Sequence, residues 1–418
     1  MNLQVALSPI GRATPLDVRL MSVAATASRQ RVAPFWRDIR FIRLAAQIVF
    51  VLALAAAASF LYTNLQANLA RRGIALGYGF LGSTAGFDIG ETFILYQASD
   101  TYARALLAGM VNTLVVVIYG IFLTTIVGVL AGVARLSSNW LIRQVAAAYV
   151  GLIRNTPLII QLMFWYFGVV LTLPNVKNAI VLPGPSYLSQ RGLYLIWPKP
   201  TESFPAWAPF LILALLSPFL TKLVFKQIQM RTDRPISPWA KLAYLVAPIG
   251  IAALGAALVS PPSPLAMEEP VLKGLNFQGG LRLSAHFVAL LFGLVVYTGA
   301  FIAEVVRAGI QSVPRGQVDA ARALGLRNGQ ALRLVVMPQA LRVIIPPLTS
   351  QYLNLAKNSS LAIAIGYPDL FSVAGTVFNQ TGTAIEIITL LMLSYLSMSL
   401  FTSLVLNLYN RRVQIVER

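Results

Sequence analysis

Cysteine is absent from the 418 residues and histidine occurs once, at His286. Disulfides and thiolate metal sites are therefore excluded, and a single histidine argues against a His-based metal site or a catalytic triad. Charge is sparse at 11% of residues, and acids are the scarcer sign, with 14 Asp and Glu against 33 Lys and Arg. No lysine follows a glycine anywhere, so a phosphate-cradling G-x4-G-K-S/T loop cannot form. HExxH and paired catalytic carboxylates are missing as well. A membrane-embedded enzyme is left without a catalytic cluster.

Apolar residues dominate instead, at 57% of the chain with a mean hydropathy of +0.71. A soluble domain cannot hide that much apolar surface. Runs of about 20 apolar residues, the length that crosses a hydrocarbon core, predict eight transmembrane helices. They lie near 44–65, 105–134, 146–174, 206–225, 240–260, 283–303, 343–366 and 385–408. The seventh carries Asn354, Lys357 and Asn358, with Pro346-Pro347 near its start. The first 40 residues hold six arginines and no apolar run. They read as a basic cytoplasmic tail ahead of an uncleaved anchor.

An even number of spans places both termini on one side. With the termini inside, 23 of the 33 basic residues fall on cytoplasmic segments and eight on external ones. The acids divide six inside and eight outside. This asymmetry is the positive-inside signature, so the charge of +19 sets topology and meets anionic lipid rather than nucleic acid. Trp36, Trp140, Trp207 and Trp239 fall near predicted span ends, as interfacial aromatics do, and Trp165 lies deeper. His286 reads as an interfacial residue at the outer start of the sixth helix.

Three polar blocks interrupt the apolar pattern. The first is Glu304 to Pro338, a polar, Arg-rich loop patterned as helix-turn-helix. Residues 317–324 are mostly good helix formers, with small Ala320 and Ala321 offering close approach to a partner. Gly325 is placed to end that helix, and a second helical run, 328–336, is expected to end at Pro338. The second block runs from Ile153 to Leu162, with Arg154, Asn155, Thr156, Pro157 and Gln161 inside a predicted span. Pro157 should kink it and free backbone carbonyls, which Asn155 and Thr156 can help satisfy. Arg154 either snorkels to the cytoplasmic interface or faces water, a partner or substrate. The third block, Tyr352 to Leu361, places Lys357, Asn358, Ser359 and Ser360 in the seventh helix. Its small polar groups either bond between helices or line a pathway.

The spacing Asp319-Ala320-Ala321, Gly325, Val335, Met337, Pro338 resembles the EAA loop of bacterial ABC importer permeases, EAA-x3-G-x9-I-x-L-P. Asp319 stands for Glu, Val335 for Ile and Met337 for Leu. Glu304-x-x-Arg307-Ala308-Gly309-Ile310 and Val313-Pro314-x-Gly316-Gln317 resemble the polar amino-acid subgroup, as do the second and third blocks. The eight-helix layout with a long insert looks like the larger permease of general L-amino acid importers.

The resemblance implies an all-α membrane protein with a five-helix permease core, an extra N-terminal helix and an inserted helical hairpin. The expected organisation is a tail at 1–43, the first helix and external loop at 44–104, and core at 105–174. An insert of external loops and a hairpin follows at 175–282, then core at 283–410 with the 304–338 loop, and a tail at 411–418. It further implies an amino-acid permease in a bacterial inner membrane, itself without cofactor or hydrolytic activity. Its expected partners are an ATP-binding subunit, a second permease and a periplasmic binding protein that delivers the L-amino acid. Arg315, Gly316, Asp319, Ala320, Ala321, Gly325 and Pro338 would couple to the ATPase. Arg154, Asn155, Thr156, Gln161, Asn358 and Ser359 would line the substrate pathway, Arg154 pairing with the substrate carboxylate and carbonyls freed by Pro157 with its ammonium. The competing expectation, an ATP-independent secondary transporter or channel, calls for mid-membrane acids and an internal repeat. No repeat is seen, and Glu304, Asp369 and Glu386 fall at predicted span ends.

Overall fold

The computed structural model describes residues 39–71, 77–232 and 242–413. Most of the basic tail, Trp36, Trp239 and the last five residues lie outside the described residues. The chain divides into two compact units, residues 1–76 and 77–418. In the first, helix α1 (Ile39–Arg71) carries exposed apolar side chains on every side, including Phe50, Leu54 and Phe60. A helix apolar all round belongs in hydrocarbon.

In the second unit the five helices expected for the core are α2 (Tyr102–Ala134), the pair α3 (Trp140–Arg154) and α4 (Leu158–Met163), α7 (Ala285–Gln311), α10 (Met337–Asn358) and α12 (Ala384–Val413). Helices α5 (Phe204–Thr232) and α6 (Ala243–Val259) form the inserted hairpin. Short helices α8 (Arg315–Ala323), α9 (Asn328–Ala331) and α11 (Leu370–Thr381) complete the set. Among the described residues six helices are long and apolar enough to cross a membrane, or seven with the bent α3–α4 pair taken as one span. The expected eighth is α6, whose apolar stretch Val246–Val259 is shorter than a span and whose approach lies outside the described residues.

Helices α2 and α7 form the spine. Gly120, Thr124, Gly128 and Gly132 recur every four residues on the buried face of α2. A Cβ at Gly128 would lie 2.4 Å from Ile302 Cγ2, and one at Gly132 would lie 2.7 Å from the Ala303 carbonyl oxygen. Small residues let the backbones approach this closely, as membrane helices require where no hydrophobic effect drives them together. Gly132→Val must push that carbonyl away, so it is expected to cost about 1–3 kcal/mol and lower the thermal midpoint of the purified protein. An unchanged midpoint would contradict this packing.

The insert differs from its expected loops. Strands β1 (Ile180–Leu182), β2 (Ser186–Ser189) and β3 (Gly192–Leu195) are joined by β8 (Leu281–Ser284) in one antiparallel sheet, in the order β1-β2-β3-β8. Leu193 pairs with Leu283, so the two ends of the insert lie side by side. Strands β4 (Trp197–Pro200) and β5 (Leu265–Glu268) pair across the base of the α5–α6 hairpin, and β6 (Val271–Lys273) pairs with β7 (Asn276–Gln278). Tyr194, Phe277 and Val176 fill the small core beneath. Strands of three or four residues carry too little alternation to be read against a Pro-rich background.

Ser284 closes β8 and caps α7, accepting from Phe287 N at 3.0 Å. The Glu91 carboxylate holds the same residue through Ser284 N at 3.3 Å and Ser284 Oγ. Burial pushes the Glu91 carboxyl up, against the lowering effect of those Ser284 hydrogen bonds. The segment 77–101 is thereby stitched to the start of α7. Asn112 adds a second tie, accepting from Phe93 N at 3.3 Å and donating to the Glu91 and Pro368 carbonyls.

Asp369 corrects the expectation of a span-end acid. After a 3-10 turn at Ser359–Ile365 and Gly366 at φ +77°, Asp369 caps α11 and is fully buried. Leu370 N donates to Thr113 Oγ1 at 3.0 Å, whereas the far end of α11 meets Tyr102 through Gln380. Helix α11 therefore runs back along the first turns of α2. Asp369 sits about 16 Å along α2 from its start, at 1.5 Å per residue.

Candidate functional site

The 304–338 segment is built outward from buried anchors. Val313 is 8% exposed beside the core of Val306, Val336, Ala340 and Ile344, and Pro314 opens α8. Helix α8 is amphipathic. Val318 packs against that core and Ala321 is 3% exposed, while Arg315, Gly316, Asp319, Ala320 and Arg322 face solvent. Ala320 is thus available to a partner and Ala321 is not, because the helical period turns it inward. Gly325 stands at φ +79°. Its N–H donates to the Arg322 carbonyl at 2.9 Å and Leu326 N to the Ala321 carbonyl at 3.2 Å. These two bonds are the Schellman closure of a helix end, which the left-handed residue makes possible. Leu324, one residue earlier, is 83% exposed.

The second half departs from expectation. Helix α9 passes into a π turn at Leu332–Val336 and then directly into α10, so Pro338 begins a helix rather than ending one. Because the helical run is continuous, the proline forgoes one N–H bond of the ladder, beside a π turn that already loosens it. Leu332 and Leu334 are 41% and 62% exposed. With Leu324 they give this end an apolar patch among Arg315, Arg322, Arg327 and Arg333.

Helix α7 reaches this segment through Glu304, the hub of an ion cluster. Its Oε2 pairs with Arg135 at the end of α2 and lies 3.9 Å from Arg154 at the end of α3, while Oε1 pairs with Arg307. One carboxylate thus gathers three guanidinium groups from three helices. The Arg154 guanidinium also sits 5.1 Å from the Phe301 ring centroid, a cation–π distance. Arg154, expected either to snorkel or to face water, a partner or substrate, lies near Glu304, a residue too distant in the chain to be matched by spacing.

Helix α3 and the stretch Leu158–Val170, which begins with α4, meet at 106° across residues 155–157. Pro157 opens α4, and Thr156 Oγ1 satisfies the Leu152 carbonyl at 3.0 Å. Gln161 does more: its Nε2 donates to the Ile153 carbonyl at 2.9 Å and the Thr156 carbonyl at 3.0 Å. These carbonyls are therefore engaged within the chain rather than held for an ammonium group. Gln161 is 5% exposed and its Oε1 is buried without a partner. Gln161→Leu would leave the Thr156 carbonyl unmatched and the Ile153 carbonyl with its backbone donors alone, at about 1–3 kcal/mol for the buried orphan. The expected outcome is a lower thermal midpoint together with slower transport; two unchanged values would contradict a stapling role.

The end of the third block and the turn after it pack on the second, with Leu361, Ala362 and Ile365 in one core with Leu158 and Leu162. Ser359 is fully buried and donates to its own helix at Ala356, and Asn358 is half-buried. Lys357, Ser360 and Tyr395 instead line a pocket of about 390 Å³ with Phe371 and Met392. Asp369 stands behind it, 3.4 Å from Tyr395 Oη. Asp369 and Tyr395 were missed because no local spacing links them to Lys357. The His286 ring stacks on Tyr166, with Nε2 2.7 Å from the phenol oxygen.

The description of the binding-protein-dependent transport system inner membrane component matches residues 124–415, which include the broken helix, the Glu304 cluster and the α8 loop. The chain belongs to this family. Within the family the chain is a polar amino-acid ABC importer permease. It is 46% identical over 373 residues to the putative amino-acid ABC transporter permease protein YhdX of Escherichia coli K12, covering 89% of this chain and 94% of that one. It is 45% identical to the general L-amino acid transport system permease protein AapQ of Rhizobium johnstonii, over 85% and 88% of the two chains. A third relative is the glutamate/glutamine/aspartate/asparagine transport system permease protein BztB of Rhodobacter capsulatus, 38% identical over 91% and 96%. As in these permeases the insert belongs to the matched length, so it is shared rather than peculiar to this chain.

Proposed function

We propose that this permease carries L-amino acids inward across a bacterial inner membrane, with both termini in the cytoplasm. ATP is hydrolysed by separate subunits that dock on the α8 loop. A periplasmic binding protein delivers substrate at the face bearing the β-sheet, and a second permease completes the pathway. The observation that carries this reading is the α8 knob, a short rigid helix held on the ends of α7 and α10 with Ala320 and Leu324 exposed at its tip. Exposed leucines ringed by arginines suit a protein partner. Closure of an ATPase dimer would push on Arg315, Gly316, Asp319, Ala320 and the Gly325 turn. Ala321 and Pro338 would pass the motion into α7 and α10.

The substrate pathway we propose runs along the broken helix and the third block. Asn155, Thr156 and Gln161 shape the break, and Asn358 and Ser359 lie on the facing segment. A zwitterion crossing the membrane needs both charges matched. Lys357 suits the carboxylate, with Ser360, Tyr395 and Asp369 near it for the ammonium. Arg154 serves the Glu304 cluster instead. The cysteine-free chain makes the docking test direct. Ala320→Cys should cross-link to a single cysteine placed on the ATP-binding subunit, and Ala321→Cys should not. Equal cross-linking of both, or of neither, would count against this docking face.

A further inference from the structure

The hairpin of α2 and α3 holds a groove outside the substrate pathway and the docking face proposed above. It is an open cleft of about 630 Å³ between the last two turns of α2 and the first turns of α3, with Leu130, Ala134, Leu141, Val145 and Ala146 among its walls. That volume lies within the roughly 300–1,000 Å³ of ordinary ligand sites. Leu130, Leu141 and Val145 are more than 60% exposed. The one polar side-chain group in the wall, the Tyr149 hydroxyl, is already donated to the Val296 carbonyl at 2.7 Å. An apolar occupant is called for.

The mouth of the groove is charged in one sense. The connecting turn, residues 135–139, carries Arg135, and Arg143 folds back on the same turn through Nη1 to the Ser137 carbonyl at 3.2 Å. Trp140 is 63% exposed beside them, a side chain typical of the membrane–water interface. Glu304 is the one carboxylate paired with these arginines among the described residues, and it is shared with Arg154 and Arg307. Positive charge at the rim is therefore left in excess.

We propose that this groove binds an anionic phospholipid, its acyl chain between α2 and α3 and its phosphate at Arg135 and Arg143. The arrangement is a basic rim over an apolar cleft, the combination by which membrane proteins hold anionic headgroups. A phosphate at Arg135 competes for the guanidinium that Glu304 holds, so the lipid bears on the joint between α2, α3 and α7. The inference rests on the membrane placement of the chain and not on what it transports, so import activity is not its test.

The assembled transporter, purified from membranes, would be examined by native mass spectrometry after exchange into a mixture of phosphatidylglycerol and phosphatidylcholine. Phosphatidylglycerol is expected to remain bound in preference. Arg143→Gln should weaken its retention about fivefold, the factor for one basic side chain at an anionic surface. Ala134→Phe, at a partly exposed wall position, should fill the groove and lose the same lipid while leaving assembly intact. Photoactivatable phosphatidylglycerol carrying its reactive group in the tail should label residues 127–149. Equal retention by both variants would overturn the proposal, as would retention without preference for the anionic lipid. Cross-linking of Leu130→Cys to the second permease would overturn it too, by showing that a protein helix fills the groove.

Discussion

Replacement of Glu304 by alanine is expected to lower ATP-driven uptake at least tenfold while the chain still inserts. The substitution removes the single carboxylate that holds Arg135, Arg154 and Arg307 together. Breaking a fully buried ion network by deleting one partner costs about 3–5 kcal/mol. The Glu304 side chain is 26% exposed, so screening reduces this to about 2–3 kcal/mol. The loss falls where α7 hands over to the coupling segment, so it loosens the joint through which motion must pass. Arg154→Ala should be milder, since its nitrogen stands 3.9 Å from the carboxylate and the closer Arg135 and Arg307 pairs survive. The check is uptake by reconstituted transporter with the binding protein saturating. Equal losses for Glu304→Ala and Arg154→Ala would mean that Arg154 acts on substrate after all.

Gly325→Val is expected to abolish coupling with little effect on the core. A Cβ at Gly325 would meet no atom of this chain within 4 Å, so crowding within the chain is not the difficulty. The difficulty is φ +79°, a left-handed conformation that costs an ordinary L-residue about 1–2 kcal/mol and a β-branched one more. Valine would open the two hydrogen bonds that end α8 and displace Leu324 from the tip. Uptake should fall at least tenfold, with ATP hydrolysis continuing out of step with transport. Gly325→Asn supplies the control, because asparagine tolerates this region. It should retain at least about half of the uptake if backbone conformation is what matters. Equal loss in both variants would point to steric exclusion by the docked subunit instead.

The parts legible in the sequence are those whose physics is local. Gly325 announces a helix end because a left-handed closure needs glycine, and Pro157 announces a break because it removes an N–H. Long apolar runs announce most of the helices able to cross a membrane. What escaped depends on residues far apart. Nothing near Arg154 signals Glu304, and nothing near Asp369 signals Thr113 or Tyr395. Pro338 was misjudged because a proline can either stop a helix or start one, and the π turn before it decides which. The glycine ladder at 120, 128 and 132 was open to sequence reading, since small residues four apart in an apolar run mark a close helix contact. The β-sheet of the insert was not, because its local strands are only three or four residues long and β8 joins β3 across about 90 residues that include a helical hairpin.

The central claim is that this chain moves amino acids only as one part of an ATP-driven assembly. It is tested most directly by uptake of radiolabelled L-amino acid into vesicles holding the chain with its partner permease and ATP-binding subunits. Uptake is predicted to require ATP, the binding protein and an intact α8 loop, each omission returning it to background. Uptake by the chain alone, without ATP and driven by an ion gradient, would contradict the account.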